Sequence, residues 1–137
     1  MSNALVVGGT GFVGRNLIHF LKDETFEIDC LSTSEPSEAR KVRGVNYLTA
    51  NLQDYSSLER VLGRRQYRFV VNVGGYVDHR RFGSGGESVF ATHFTGLVNL
   101  VSVVFMKIEK SVEVNICQRV SISQHKRFVL KKFSQAA

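Results

Sequence analysis

The chain is poor in the residue types that cross-link a fold or bind metals. Its 137 residues include two cysteines, one proline and no tryptophan. Two cysteines, Cys30 and Cys117, are too few for a disulfide framework and have no metal-ligand spacing, so we expect both to be reduced. The four histidines form no cluster in the sequence. These absences argue against a disulfide-stabilised secreted domain and against a metal site.

Long apolar runs are also missing. No stretch of the sequence approaches the length that crosses a bilayer, and the N-terminus lacks the charged-then-apolar layout of a signal peptide. A content of 43% hydrophobic and 22% charged residues is ordinary for a globular protein, and 137 residues suit one domain. We therefore expect a single cytoplasmic domain over residues 1–137.

Acidic residues are scarce beside basic ones. Twelve Asp and Glu face eighteen Lys and Arg, which leaves a net charge of +6. Such an excess suits either nucleic acid or a smaller anionic ligand. The cations are scattered, without a basic helix or a zinc or RNA-binding signature, so solvated surface is the better interpretation and a nucleic-acid-binding domain is a weaker alternative. The short basic groups are Arg40-Lys41-Arg43, Arg64-Arg65, Arg80-Arg81, Lys126-Arg127 and Lys131-Lys132.

Glycine, in contrast, is concentrated near the N-terminus. The segment Gly8-Gly9-Thr10-Gly11-Phe12-Val13-Gly14 follows the apolar run 4–7 and precedes a helical pattern. Glycines at this spacing allow a tight strand-to-helix turn, close approach of the backbone to a pyrophosphate, and packing of the helix on the strand. The same glycines could also serve a plain βα turn. The context favours a dinucleotide site at Gly8, Thr10, Gly11, Phe12, Val13 and Gly14.

The rest of the chain alternates between strand and helix patterns. Apolar runs at 4–7, 26–31, 45–48 and 69–73 alternate with helical patterns near 12–22, 56–64 and 87–104, and we expect a short helix from Pro36 through Arg43. This alternation predicts βαβ units and a parallel sheet. In the first helix, Val13, Leu17, Phe20 and Leu21 are expected to share the inward face. Residues 74–86 are expected to form a loop at the carboxyl end of the fourth strand.

Taken together, these motifs resemble the extended short-chain dehydrogenase/reductase superfamily, which includes the NAD(P)-dependent epimerases and dehydratases. Residues 8–14 match its GxxGxxG fingerprint, residues 51–54 resemble its D-L-x-D motif, and residues 69–76 resemble its fourth strand and following loop. Gly96 and Asn99 resemble its N-x-x-G-T-x-N helix. The resemblance covers residues 3 to about 104, and it implies a Rossmann-like doubly wound α/β fold.

The resemblance also implies a site for NAD or NADP. Asn51, where the family has Asp, and Leu52 would lie against the adenine, and Val73, Gly74 and Gly75 would line the path of the dinucleotide. The sequence leaves the choice between NAD and NADP open. Spacing nominates Asp29, an acid that would bind the ribose hydroxyls of NAD, whereas strand phase places Ser32 at the strand end. Arg40 and Lys41 follow shortly afterwards, so the sequence leans slightly to NADP.

The family's reactions depend on a Tyr and a Lys four residues apart, and this sequence has no Y-x-x-x-K. The nearest approach is Tyr76 followed by Arg80. Arg127–Leu130 is a candidate for the family's fifth strand, although Lys131 and Lys132 occupy the place of its expected serines. Residues 105–137 are thus interpreted as a diverged or truncated end, and the catalytic residues remain unassigned.

Two hypotheses remain ahead of nucleic-acid binding. The first is an NAD(P)-binding domain like the N-terminal half of an epimerase or dehydratase, without full catalytic machinery; a longer protein of this kind would act on a sugar nucleotide or similar small metabolite. The second is a non-enzymatic NAD(P) sensor or interaction subunit. Self-association is expected in either case, through a strand in which Val112, Val114 and Ile116 alternate with polar residues.

Overall fold

Four parallel strands form the centre of the molecule. The computed structural model describes residues 3–24, 26–75, 84, 86–105, 114–118 and 129–133. The strands are β1 (Asn3–Val7), β2 (Glu27–Ser32), β3 (Val45–Thr49) and β4 (Phe69–Asn72). They lie in the order β3-β2-β1-β4, and every neighbouring pair is parallel. The predicted Rossmann-like parallel sheet is confirmed.

Helices connect these strands. They are α1 (Phe12–Asp23), α2 (Tyr55–Leu62), α3 (Glu87–Phe90) and α4 (Gly96–Phe105), and a π-helical turn (Ala91–Thr95) joins the last two. Asp54 caps α2 by accepting a hydrogen bond from the Ser57 backbone N–H at 3.1 Å. The helix expected from Pro36 through Arg43 is shorter than predicted. It is a 3₁₀ turn over Glu38–Arg40.

Each face of the sheet carries its own apolar core. On one face, α2 and α4 pack on the strands through a cluster centred on Leu5, Leu31, Leu58 and Leu100. On the other face, α1 covers a smaller cluster of Val6, Ile18, Ile28, Cys30 and Val42. Side chains alternate between the two faces along each strand, as the pleat requires.

The inward face of α1 differs from the prediction. Ile18 is fully buried, and Leu17 and Leu21 pack against the core, whereas Val13 is 48% exposed and Phe20 is 62% exposed. The prediction was thus right for Leu17 and Leu21, whereas Gly14 and Ile18 take the inward places expected for Val13 and Phe20. The reason is that Gly14 faces the turn preceding the helix, and this close approach fixes how α1 is rotated on the sheet.

The segment from Glu87 to Val104 is the most apolar helical part of the described chain. By length and composition it could cross a membrane, with a mean hydropathy of 1.2 over 18 residues. The expectation that no stretch reaches this length was therefore wrong. A core helix passes the same test, and Leu100, Val103 and Val104 are buried against the sheet. The opposite side exposes Phe90 and Phe94, whose rings stack with centroids 4.9 Å apart.

The C-terminal strands form a separate hairpin. Strand β5 (Val114–Gln118) pairs antiparallel with β6 (Val129–Phe133), and this pair is not part of the four-stranded sheet. The prediction of a family-like fifth parallel strand at 127–130 was wrong for Val129 and Leu130, and Arg127 and Phe128 lie outside the described residues. A strand at 112–116 is confirmed from Val114 onwards. Strand β5 lies next to β4 as well as β6, so it already has two neighbouring strands, and self-association through β5 stays a prediction.

Candidate functional site

The predicted site residues gather along one edge of the sheet. All twelve lie at or just beyond the carboxyl ends of the four parallel strands, which is where open α/β sheets bind ligands. They are Gly8, Thr10, Gly11, Phe12, Val13 and Gly14 after β1, Ser32 at the end of β2, Asn51 and Leu52 after β3, and Val73, Gly74 and Gly75 after β4. Tyr76 and Arg80 lie outside the described residues.

The turn between β1 and α1 is held in place by its neighbours. The Gly8 N–H donates to the Leu31 carbonyl at 2.8 Å, and the Val73 N–H donates to the Val7 carbonyl at 3.0 Å. Gly8 has a φ of +78°, and a Cβ built on it would lie 2.4 Å from the Gly74 Cα. This position therefore requires glycine for two reasons, its left-handed backbone and its contact with the β4 loop.

Two of the remaining glycines are explained by packing within the protein. A Cβ on Gly14 would lie 2.4 Å from the Gly8 carbonyl oxygen, so the helix reaches the turn because no side chain intervenes. A Cβ on Gly9 would lie 2.5 Å from the Cys30 Sγ and 2.6 Å from the Ile18 Cδ1. These glycines would be needed for the fold even without a ligand.

Gly11 is different, because its surroundings do not require a glycine. Its φ of −76° suits any residue, and a built Cβ meets a single neighbour, the Gly8 carbonyl oxygen at 3.3 Å. That contact is tight, but the residue is exposed. A side chain here would point towards a ligand and not into the protein core.

The first turn of α1 can receive an anion. Gly11 is its N-cap residue and forms no side-chain cap, and the first turn contains no acidic residue. The leading N–H groups of a helix have no partner within the helix, and the helix dipole is positive at this end. An uncapped N-terminus that follows a glycine turn is a suitable site for a phosphate.

Beneath the turn lies an apolar floor that includes Cys30. The residue is fully buried, and burial raises the pKa of its thiol to about 11, although the Gly9 backbone opposes this rise. The thiol is consequently neutral near pH 7. It supports the glycine turn by packing and places no negative charge under a phosphate site.

Of the two β2 residues considered for binding the ribose, Ser32 lies at the site edge and Asp29 does not. Ser32 ends the strand at the site edge, is half-buried, and donates from its Oγ to the Ser34 carbonyl at 2.7 Å. Asp29 lies midway along β2. Its carboxylate accepts hydrogen bonds from Arg65 Nη1 at 2.8 Å, Tyr67 Oη at 2.7 Å and Asn46 Nδ2 at 2.8 Å. Asp29 is thus a structural ion-pair residue, neither a ribose ligand nor the solvated residue of the alternative interpretation.

The loop after β2 is less basic than its sequence suggests. Lys41 Nζ lies 2.9 Å from Glu35 Oε1 and 2.7 Å from Glu38 Oε1. These hydrogen bonds raise the pKa of Lys41, chiefly through Glu38. The lysine that was expected to meet a ribose phosphate is therefore already paired with two carboxylates, while Arg40 in the same loop is exposed.

The loop after β3 is short and held by several hydrogen bonds. The Asn51 side-chain oxygen accepts from the Gln53 N–H at 3.0 Å, and the Asn51 carbonyl accepts from the Asp54 N–H at 3.0 Å. The side chain of Leu52 is buried, and its carbonyl accepts from Asn99 Nδ2 at 3.0 Å. Asn51 is exposed at the site edge, whereas Leu52 belongs mainly to the core.

A π-helical turn brings two further residues to the same edge. A Cβ built on Gly75 would lie 2.8 Å from the His93 Cε1, so the imidazole lies directly against the β4 loop. Thr92 Oγ1 accepts from Gln53 Nε2 at 3.1 Å and thereby ties the turn to the β3 loop. Neither residue was predicted from the sequence to be part of the site. π-Helical turns often occur at functional sites, but the irregular hydrogen bonding that forms them has no clear sequence signal.

The comparisons agree with this architecture. The profile of the NAD dependent epimerase/dehydratase family matches residues 4–126. The chain belongs to this family. No curated protein matches the chain in a comparison of sequences.

Several solved structures share the fold. A UDP-glucose 4-epimerase from Thermus thermophilus in complex with NAD is 22% identical, with a TM-score of 0.64 over 74% of this chain and 33% of its own. The UDP-Glc/GlcNAc 4-epimerase from Campylobacter jejuni is 16% identical, with a TM-score of 0.66 over 75% and 33%. Uronate dehydrogenase from Agrobacterium tumefaciens is 19% identical, with a TM-score of 0.59 over 75% and 36%. The chain thus spans about a third of the length of these proteins.

Proposed function

We propose that this chain binds NAD or NADP along the carboxyl edge of its sheet, with the pyrophosphate at the N-terminus of α1. The observation that carries the proposal is the contrast among the glycines of the turn. Packing accounts for Gly8, Gly9 and Gly14, whereas Gly11 is exposed and a Cβ there would meet one atom, the Gly8 carbonyl oxygen at 3.3 Å. An uncapped helix N-terminus at this exposed position is what a pyrophosphate requires.

The remaining edge residues fit the two halves of such a dinucleotide. Ser32 would lie beside the adenosine ribose, because the end of β2 is where Rossmann folds bind that sugar. Asn51 would lie against the base. Val73, Gly74 and Gly75 would pass beneath the nicotinamide half, and the lack of a side chain on Gly75 lets the His93 imidazole lie against this loop. Phe12 and Val13, both exposed at the start of α1, would border the pyrophosphate.

Bound NAD or NADP supplies hydride transfer. This chain lacks the Y-x-x-x-K pair with which the family moves a proton, so we propose cofactor binding without complete catalytic machinery in these 137 residues. The action of a longer protein on a sugar nucleotide is a further proposal, as is a sensor role, which the missing Tyr-Lys pair favours. Cytoplasmic location and self-association stay predictions.

We expect no preference for NADP. The slight lean of the sequence towards NADP depended on Arg40 and Lys41, but Lys41 is held by Glu35 and Glu38. Those carboxylates would also repel the additional phosphate of NADP. NADH should therefore bind at least as tightly as NADPH.

The experiment is a calorimetric titration of the wild type and of Gly11→Val with NADH and NADPH. Gly11 has an ordinary backbone conformation and is exposed, so the variant should fold if the Gly8 carbonyl, 3.3 Å from a built Cβ, shifts by a small amount. The valine side chain would occupy the pyrophosphate position, and we expect affinity to fall by about a hundredfold or more. Ser56→Val, which adds an exposed valine on α2, is the matched control and should bind as the wild type does.

A second variant separates loss of binding from loss of folding. In Gly14→Val the side chain would clash with backbone atoms of Gly8 and Gly9, so circular dichroism should show a destabilised or unfolded protein. Folded Gly11→Val protein that binds dinucleotide as tightly as the wild type would refute the proposed pyrophosphate position. A folded wild type that binds neither dinucleotide would refute the proposed function itself.

A further inference from the structure

The loop after β3 suggests how the proposed site distinguishes purine bases. We propose that Asn51 allows the base subsite to accept 6-oxopurine dinucleotides as well as the 6-aminopurine of NAD. The inference rests on the proposed function, because it assumes that a dinucleotide lies along the carboxyl edge of the sheet. It concerns one residue whose side-chain orientation is fixed by the fold.

The position of the base follows from the strand order. With the pyrophosphate at α1 and the ribose at the end of β2, the adenosine half runs from β1 towards β3, which is the edge strand on that side. Adjacent strands are about 4.8 Å apart, so a base attached to a ribose above β2 extends over the end of β3. Asn51 is exposed there, two residues beyond Thr49, the last residue of that strand.

The orientation of the Asn51 amide is determined by its own turn. Its side-chain oxygen accepts from the Gln53 N–H at 3.0 Å. Only an oxygen can accept this bond, so the nitrogen lies on the other side of the planar amide group. The loop itself is tied to its neighbours, because the Ala50 N–H donates to the Ser32 carbonyl at 3.0 Å and Asn99 Nδ2 donates to the Leu52 carbonyl at 3.0 Å. The amide therefore presents N–H donors beside an oxygen that is already engaged.

This arrangement changes which base edge is favoured. A 6-oxopurine offers two acceptors, N7 and O6, whereas adenine offers N7 and a donating 6-amino group. The amide nitrogen can donate to either base, and the side-chain oxygen keeps one lone pair for an adenine amino group. A carboxylate at this position would accept from adenine and would be repelled by the oxygen of a 6-oxopurine. Asn51 thus accepts both adenine and 6-oxopurine bases, whereas an acidic residue at this position would favour adenine.

The test compares two reduced dinucleotides that differ only at this position of the base. NADH and reduced nicotinamide hypoxanthine dinucleotide are each titrated into the wild type and Asn51→Asp, with nicotinamide fluorescence as the readout. Asp can keep the turn by accepting from the Gln53 N–H, so the backbone should be unchanged. For each protein, the measured quantity is the dissociation constant of the hypoxanthine dinucleotide divided by that of NADH. Asn51→Ala, which lacks both the donor and the acceptor, is the second variant.

We expect a ratio near one for the wild type and a ratio at least about five-fold higher for Asn51→Asp, the effect of one unmade hydrogen bond. If Asn51→Asp does not fold, Asn51→Ala should weaken hypoxanthine dinucleotide binding relative to the wild type. Wild-type and Asn51→Asp ratios that differ by less than about five-fold would overturn the inference while leaving the proposed function intact. A folded wild type that binds neither dinucleotide would overturn both.

Discussion

Replacing Tyr67 by phenylalanine should destabilise the fold measurably without affecting the dinucleotide edge. Tyr67 is 3% exposed, and its ring belongs to the core beneath α2 and α4. Its hydroxyl donates to Asp29 Oδ2 at 2.7 Å, and Asp29 in turn accepts from Arg65 and Asn46. The substitution removes one hydrogen bond to a carboxylate and leaves the ring packing intact.

The size of this loss in the free energy of unfolding depends on the hydrogen bonds that Asp29 keeps in Tyr67→Phe. A hydrogen bond to a charged group contributes roughly 1.5–3 kcal/mol, and the larger cost applies when a buried charge loses its partners. Here the Asp29 side chain is 15% exposed and keeps both the Arg65 and the Asn46 contacts. We therefore expect the lower end of the range, with a loss of about 1.5 kcal/mol in the free energy of unfolding.

Urea denaturation of wild type and Tyr67→Phe at neutral pH measures this difference. Tyr55→Phe is the matched control, because Tyr55 is 40% exposed at the start of α2 and its change should stay within about 0.5 kcal/mol. If Tyr67→Phe is as stable as Tyr55→Phe, the hydroxyl contributes nothing and the reasoning about the network is refuted.

The stability of the wild type and of Tyr67→Phe should also depend differently on pH. Burial, together with the bond to Asp29, raises the pKa of Tyr67 above its ordinary value. A group whose folded pKa is raised contributes stability that is complete below the unfolded pKa, about 10 for tyrosine, and that is lost as the pH rises above it. The wild type should therefore lose stability above about pH 10 more steeply than Tyr67→Phe. Parallel pH profiles for the two proteins would contradict this assignment.

Two further predictions concern other parts of the fold. Burial raises the pKa of Cys30 from 9.0 to about 11, so the wild type should lose stability, on the order of 2–3 kcal/mol, as the pH rises through this range. Cys30→Ala should lack this loss in its denaturation profiles. Asp54→Ala removes the N-cap of α2 and should cost about 1 kcal/mol in thermal denaturation. Asp23→Ala, at an exposed helix end without a cap role, should cost much less, and equal losses would refute the capping argument.

Local patterns were sufficient to predict the sheet and its main connections. The strand predictions agree with β1 to β4 within a residue or two at each end, because short apolar runs between turn residues bury both faces of a parallel strand. The cap of α2 is equally local, because Asp54 accepts from the Ser57 N–H three residues later. Both features depend on residues near one another in the chain.

Features that depend on distant residues were not predictable in this way. Asp29 was a candidate ribose ligand until the fold placed Arg65 and Tyr67 against it from more than 30 residues away. The inward face of α1 includes Gly14 in place of Val13, because Gly14 approaches Gly8. In both cases a tertiary contact outweighed the local pattern.

The sequence by itself determined the family, the parallel α/β architecture and the glycine turn, because these follow from hydrophobic periodicity and from the spacing of residues within one short segment. The tertiary structure alone decided which glycines serve packing and which one is exposed at the site edge, and it placed His93 against the β4 loop. It also fixed the amide orientation of Asn51 and paired Lys41 with two glutamates. These properties depend on side-chain distances of a few ångströms, which no pattern along the chain specifies.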